Sequence, residues 1–160
     1  MRYRLLILIA ALAALGCSAR PGQLGEAERA VIVRDVRQAI DDLFAAMNAH
    51  DADAVLAHYR AVDDFAYVGV TDLQVGPEPF SARMRTWHDA HPDVVFDHQI
   101  VHIQVLSPTV AVAVVRGSST DAEVLTWTQV FVRDDGAWRI AHEHEAWPGS
   151  EPTRGPHPGT

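Results

Sequence analysis

The chain is predicted to fold as a single α+β domain in which N-terminal helices pack on one face of a curved antiparallel sheet. Three observations carry this. Helical periodicity is concentrated in the first half of the chain, β-patterned runs crowd the second half, and the last two of them are joined by Asp134-Asp135-Gly136 as a hairpin. Helices first and strands last is the order of an α+β fold with its helices on one sheet face.

The first stretch stands apart from the domain. Arg2 and Arg4 precede an unbroken apolar run, Leu5 to Leu15, which ends in Gly16-Cys17-Ser18, the build of an export signal over residues 1–17. At roughly a dozen residues the run is too short for a good membrane-spanning helix. Two readings stand for its end: lipidation of Cys17 after cleavage, or ordinary cleavage near Ala11-Leu12-Ala13. Cys17 is the only cysteine, so no intrachain disulfide is possible, and its place at the signal's end favours lipidation. The expectation is an exported protein of the cell envelope that meets a membrane only through a lipid anchor. Intact mass of the native chain beside Cys17→Ala tests it. Residues 18–25, with Pro21, Gly22 and Gly25, read as a tether. Residues 148–160, rich in Pro and Gly, read as a disordered tail.

Within the domain, residues 26–147, apolar side chains at Val33, Val36, Ile40, Leu43, Phe44 and Met47 recur at spacings of three and four, predicting a helix over 27–50. Asn48-Ala49-His50 breaks it, and Asp51 is placed to cap a short second helix over 52–59. Phe65 to Val70 reads as a strand and Leu73 to Val75 as its short partner. Pro77 can open a third helix with Phe80, Met84 and Trp87 on one face, ending at His91-Pro92. Further strands are predicted from Val94 to Leu106, Val110 to Arg116, and through the closing hairpin from Val124 to Trp147.

Composition narrows the function. The formal net charge is −8 and becomes more negative once Arg2 and Arg4 leave with the signal. All thirteen basic residues are Arg and they form no cluster, so nucleic-acid binding has no electrostatic source. The serines lack a G-x-S-x-G elbow and Cys17 lies outside the domain, which argues against nucleophilic catalysis. Nine histidines raise the question of metal. The His142-x-His144 pair with His98 or His102 could supply ligands, but no carboxylate stands at a recognisable ligand spacing, so neither metal nor cofactor is expected.

The hairpin carries the candidate chemistry. A type I turn with Gly136 left-handed puts Arg133 opposite Ala137 and Val132 opposite Trp138. Strict alternation then places Trp138, Ile140, His142 and His144 on one face with Thr126, Thr128, Val130 and Val132. Arg139, Glu143 and Glu145 fall on the other with Trp127, Gln129 and Phe131.

Three segments carry a resemblance: Ala45-Ala46-Met47-Asn48-Ala49-His50-Asp51-Ala52-Asp53-Ala54 at the helix break, Phe65 to Thr71, and Asp135-Gly136-Ala137-Trp138-Arg139-Ile140-Ala141-His142-Glu143-His144 at the end. Through them the domain resembles the nuclear transport factor 2-like, or SnoaL-like, superfamily. The resemblance implies a cone-shaped, cystatin-like fold whose sheet wraps the N-terminal helices around a pocket. It also implies a small-molecule ligand, here apolar or aromatic, and, in some members, isomerase, dehydratase or cyclase chemistry that moves protons beside a carbonyl. If Trp138 and Ile140 face the helices, His142 and His144 do too, roughly 6.5–7 Å apart along the strand. They are then either the acid–base pair or pocket lining. Tyr67 is a third catalytic candidate or a buried tyrosine with an ordinary partner. Trp87, Thr126, Thr128, Arg116 and Trp138 are the ligand-binding candidates. The blander readings are Trp87 as core, the threonines as strand formers and Arg116 as a surface residue at the sheet edge, while His88 reads as solvated. His98 and His102 are placed on a shared face. The family's pocket Asp has no counterpart on the predicted inner face. The Trp127 and Phe131 face is expected to bury itself in a two-fold homodimer.

Overall fold

The computed structural model describes residues 24–120 and 122–147. The predicted signal with Cys17, most of the tether and the tail 148–160 lie outside the described residues. Among the described residues three helices, α1 (Glu26–Asn48), α2 (Ala52–Ala57) and α3 (Pro77–Ala90), precede or interrupt six strands. These are β1 (Ala66–Val68), β2 (Leu73–Val75), β3 (Phe96–Ser107), β4 (Val110–Ser119), β5 (Ala122–Asp134) and β6 (Ala137–Ala146). The strands form one sheet in the order β2-β1-β6-β5-β4-β3. Every neighbouring pair is antiparallel except β1 and β6, which run parallel.

Helix α1 lies along the inner face of the sheet because its apolar stripe, Ile32, Val36, Ile40, Leu43 and Phe44, is buried there. Side chains near its two ends tie it to β3. Arg29 Nη1 donates to the Val105 carbonyl at 2.9 Å. At the other end, Asn48 Nδ2 donates to the Phe96 carbonyl at 2.9 Å, and the Phe96 amide donates to Asn48 Oδ1 at 2.8 Å. His50 then takes φ 53°, turning the chain into α2, whose first turn is capped by Asp51 Oδ1 accepting from the Ala54 amide at 2.9 Å.

Strand β4 runs past the predicted stop at Arg116 to Ser119. Gly117 permits this: a Cβ there would stand 2.2 Å from the Asp97 carbonyl oxygen and 3.0 Å from the Trp127 ring. The missing side chain lets β3 and the indole close on the strand. Burial of Ala111, Ala113 and Val115 on β4, with Leu125, Trp127 and Phe131 on β5, fixes the odd-numbered face of the central strands as the inner one.

The hairpin register departs from the predicted one. Asp135 at φ 48° and Gly136 at φ 83° form a two-residue turn, so Asp134 faces Ala137 and Phe131 faces Ile140. Asp tolerates the left-handed region because its short polar side chain bonds locally. The shorter turn therefore replaces the predicted one and moves the register by one residue. A second shift follows between Val130 and Phe131, where Ala141 is the additional residue on β6, and Val130 then faces His142.

Candidate functional site

A cavity of about 180 Å³ opens between α1, α3 and the inner sheet face. Helix α1 contributes Leu43, Phe44 and Met47, and α3 contributes Arg83, Met84 and Trp87. The sheet side supplies Tyr67 from β1, Phe96 from β3, Trp127 and Gln129 from β5, and Glu143 and Glu145 from β6, with Tyr59 between α2 and β1. Most of the wall is aromatic or aliphatic, and Tyr59, Tyr67 and Gln129 converge on the two β6 carboxyl groups, the arrangement of a small-molecule site.

The bulge at Ala141 decides which β6 residues reach this cavity. Before it, Trp138 and Ile140 point inward and are buried; after it, parity inverts, and Glu143 and Glu145 point inward. Trp127, Gln129 and Phe131, expected on an outer dimer face, are buried inside with them.

Glu143 is 4% exposed. Tyr59 Oη donates to its Oε2 at 3.1 Å and Gln129 Nε2 donates to the same oxygen at 2.8 Å. Burial pushes its pKa up, the Gln129 hydrogen bond pulls it partly back, and the nearby charge of Glu145 adds to the rise, leaving it at about 7. Both donors fall on Oε2, so Oε1 is the oxygen left for a ligand. Beside it, Tyr67 Oη donates to Glu145 Oε2 at 2.6 Å. Burial and Glu145 push the Tyr67 phenol far above its ordinary range, so it stays protonated and remains a donor. The Arg83 guanidinium lies 4.6 Å from the centre of the Tyr67 ring, and its Nε donates to Asp72 Oδ2 at 2.6 Å. Such a wall can exchange a proton near neutral pH while excluding bulk water.

Of the residues singled out from sequence, the structure brings Tyr67 and Trp87 to the cavity. Trp87 stacks on His91 with ring centres 4.9 Å apart. His142 and His144 do not face it. They pair with Val130 and Thr128 on the outer face, because the bulge breaks the alternation that tied them to Trp138 and Ile140. Thr126, Thr128 and Arg116 share that outer face, where Arg116 pairs with Thr126 and is exposed. Trp138 is buried away from the cavity, beside a separate cleft shared with Asp35, Ala39 and His58.

His98 and His102, expected on one face, are divided by a second bulge between Ile100 and His102. His98 stacks on Phe44 at 4.2 Å and bonds Asp41 through Nε2 at 2.9 Å, whereas His102 is exposed opposite Val114. His88 is not solvated but 5% exposed, near His50 at the α1–α3 junction. Burial and His50 lower its pKa. Among the described residues no cluster of three or more His, Cys, Asp or Glu gathers to hold a metal.

Sequence reading missed Glu143, Glu145, Gln129 and Tyr59 as site residues. One signal was available. Trp127 and Phe131 on one strand and Trp138 and Ile140 on the other all demand burial, and the predicted register could not bury both sets. That conflict marks an irregular ladder.

A family model for the SnoaL-like domain matches residues 36–149. No curated protein sequence matches the chain significantly. Solved structures match in fold. An NTF-2 like protein of unknown function from Shewanella oneidensis superposes with TM-score 0.62 at 21% identity, covering 71% of this chain and 97% of that one. A domain of unknown function with a cystatin-like fold from Nostoc punctiforme gives 0.62 at 12% identity, over 77% of this chain and 78% of that one. A ketosteroid isomerase-like protein from Erwinia carotovora atroseptica gives 0.55 at 17%, over 70% and 92%.

Proposed function

Since the chain belongs to the SnoaL-like domain family, we propose that its pocket binds a small apolar or aromatic molecule and transfers a proton on it, with Glu143 as the acid–base group. The observation that carries this is a carboxyl buried in an aromatic-walled cavity with its pKa raised to about 7. At neutral pH it is present in both forms, the condition under which one group can take a proton and return it. Tyr59 and Gln129 hold Oε2, so Oε1 does the exchange. The likeness to a ketosteroid isomerase-like protein supports proton transfer beside a carbonyl as the reaction class. Hydrogen–deuterium exchange next to the carbonyl of 2-indanone, followed by proton NMR, tests this. Wild type should accelerate exchange with a rate rising through an apparent pKa near 7. Glu143→Gln should lose that acceleration by about 10²-fold or more, while His142→Ala keeps it. Equal rates in wild type and Glu143→Gln would reject the role.

We also propose that the outer sheet face pairs with a second copy of the chain. Val112, Val114, Val130 and Val132 form an apolar stripe there, half-buried and covered by no described helix. Sedimentation at micromolar concentration should give a dimer that Val114→Glu converts to monomer; a monomeric wild type refutes it.

A further inference from the structure

We infer that the molecule held in this pocket presents a hydrogen-bond donor, an N–H or O–H on an otherwise apolar ring, to Gln129 Oε1. The inference deepens the reading above and uses the same cavity.

Gln129 lies on the cavity wall and is 1% exposed. Its Nε2 is committed to Glu143 Oε2, while its buried Oε1 has no hydrogen-bond partner among the described residues. The amide cannot gain by turning round. Glu143 Oε2 already accepts from Tyr59 Oη, so it is the acceptor oxygen of that carboxyl, and a reversed amide would set oxygen against oxygen. The acceptor left over is therefore the carbonyl end.

The two phenol hydroxyls and the guanidinium Nε on this side of the cavity already have acceptors. The Tyr59 hydroxyl goes to Glu143, the Tyr67 hydroxyl to Glu145, and Arg83 Nε to Asp72. Gln129 Oε1 is thus left as a buried acceptor on the wall, and a buried acceptor without a donor is costly. The aromatic lining suits a flat ring. A site built to accept a hydrogen bond discriminates strongly against the isostere that lacks the donor.

Calorimetric titration with indole and indene tests this, because the two differ chiefly by one N–H. Wild type should bind indole about tenfold or more tighter than indene. In Gln129→Met, with folding checked by near-UV circular dichroism, the ratio should fall to about one. Affinities within twofold in wild type, a ratio unchanged in Gln129→Met, or binding of neither probe would overturn the inference. The exchange assay reads separately. Exchange lost with the indole preference kept counts against proton transfer alone, and exchange kept with equal affinities counts against the donor alone.

Discussion

Glu143→Gln should stabilise the protein at pH 8 relative to wild type by on the order of 3 kcal/mol, and by much less at pH 4.5. In the folded chain the carboxyl pKa stands near 7, against an ordinary value of 4.5. Between those values the folded state keeps a proton that the unfolded state has released. The contribution is thus complete below pH 4.5 and is lost as pH rises through 7. An amide at position 143 does not titrate, and its oxygen can still accept from Tyr59 and from Gln129. His88 works with the opposite sign, since its lowered pKa costs stability as pH falls, but it is present in both proteins and cancels in the difference. Urea midpoints measured from pH 4.5 to 8.5 provide the check. Wild-type and variant curves that run parallel would mean that Glu143 ionises as an ordinary exposed carboxylate.

That group was hidden in the sequence for a definable reason. The α1 stripe, the Asp51 cap, the Pro77 start and the two strands of the hairpin were legible because each rests on local periodicity or a terminus signal. The inner face of β6 rests on counting residues across a ladder, where one extra residue inverts every later side chain. Two single-residue shifts occur, one at the turn and one at Ala141. Together they return His142 and His144 to the company of Thr128 and Val130, as strict alternation had it. They also detach that set from Trp138 and Ile140, the residues from which its inward direction was inferred. The second shift leaves no glycine or proline at the bulge: Ala141 lies in the run Ile140-Ala141-His142-Glu143. The missing carboxylate of the pocket was therefore present in the sequence on the face set aside as outer.

Phe80→Ala should cost about 3–5 kcal/mol of stability and also move the pH behaviour of Glu143. Phe80 is 1% exposed and projects from α3 into a ring cluster, with centroids 4.6 Å from Tyr59, 4.9 Å from Phe65 and 5.3 Å from Tyr67. Tyr59 and Tyr67 are the residues whose hydroxyls hold Glu143 and Glu145. Removing the ring they share leaves a space next to both phenols and admits water toward a carboxyl whose raised pKa rests first on burial. The Glu143 pKa should then fall toward its ordinary value, so the exchange rate would rise at lower pH than in wild type. Phe80→Leu fills most of the space and should lose less stability with a smaller acid shift, which keeps the test open if the alanine variant does not fold. Urea unfolding gives the first quantity and the pH profile of 2-indanone exchange the second. Stability lost with an unmoved profile would show that the ring cluster braces α3 without sealing the carboxyl from water.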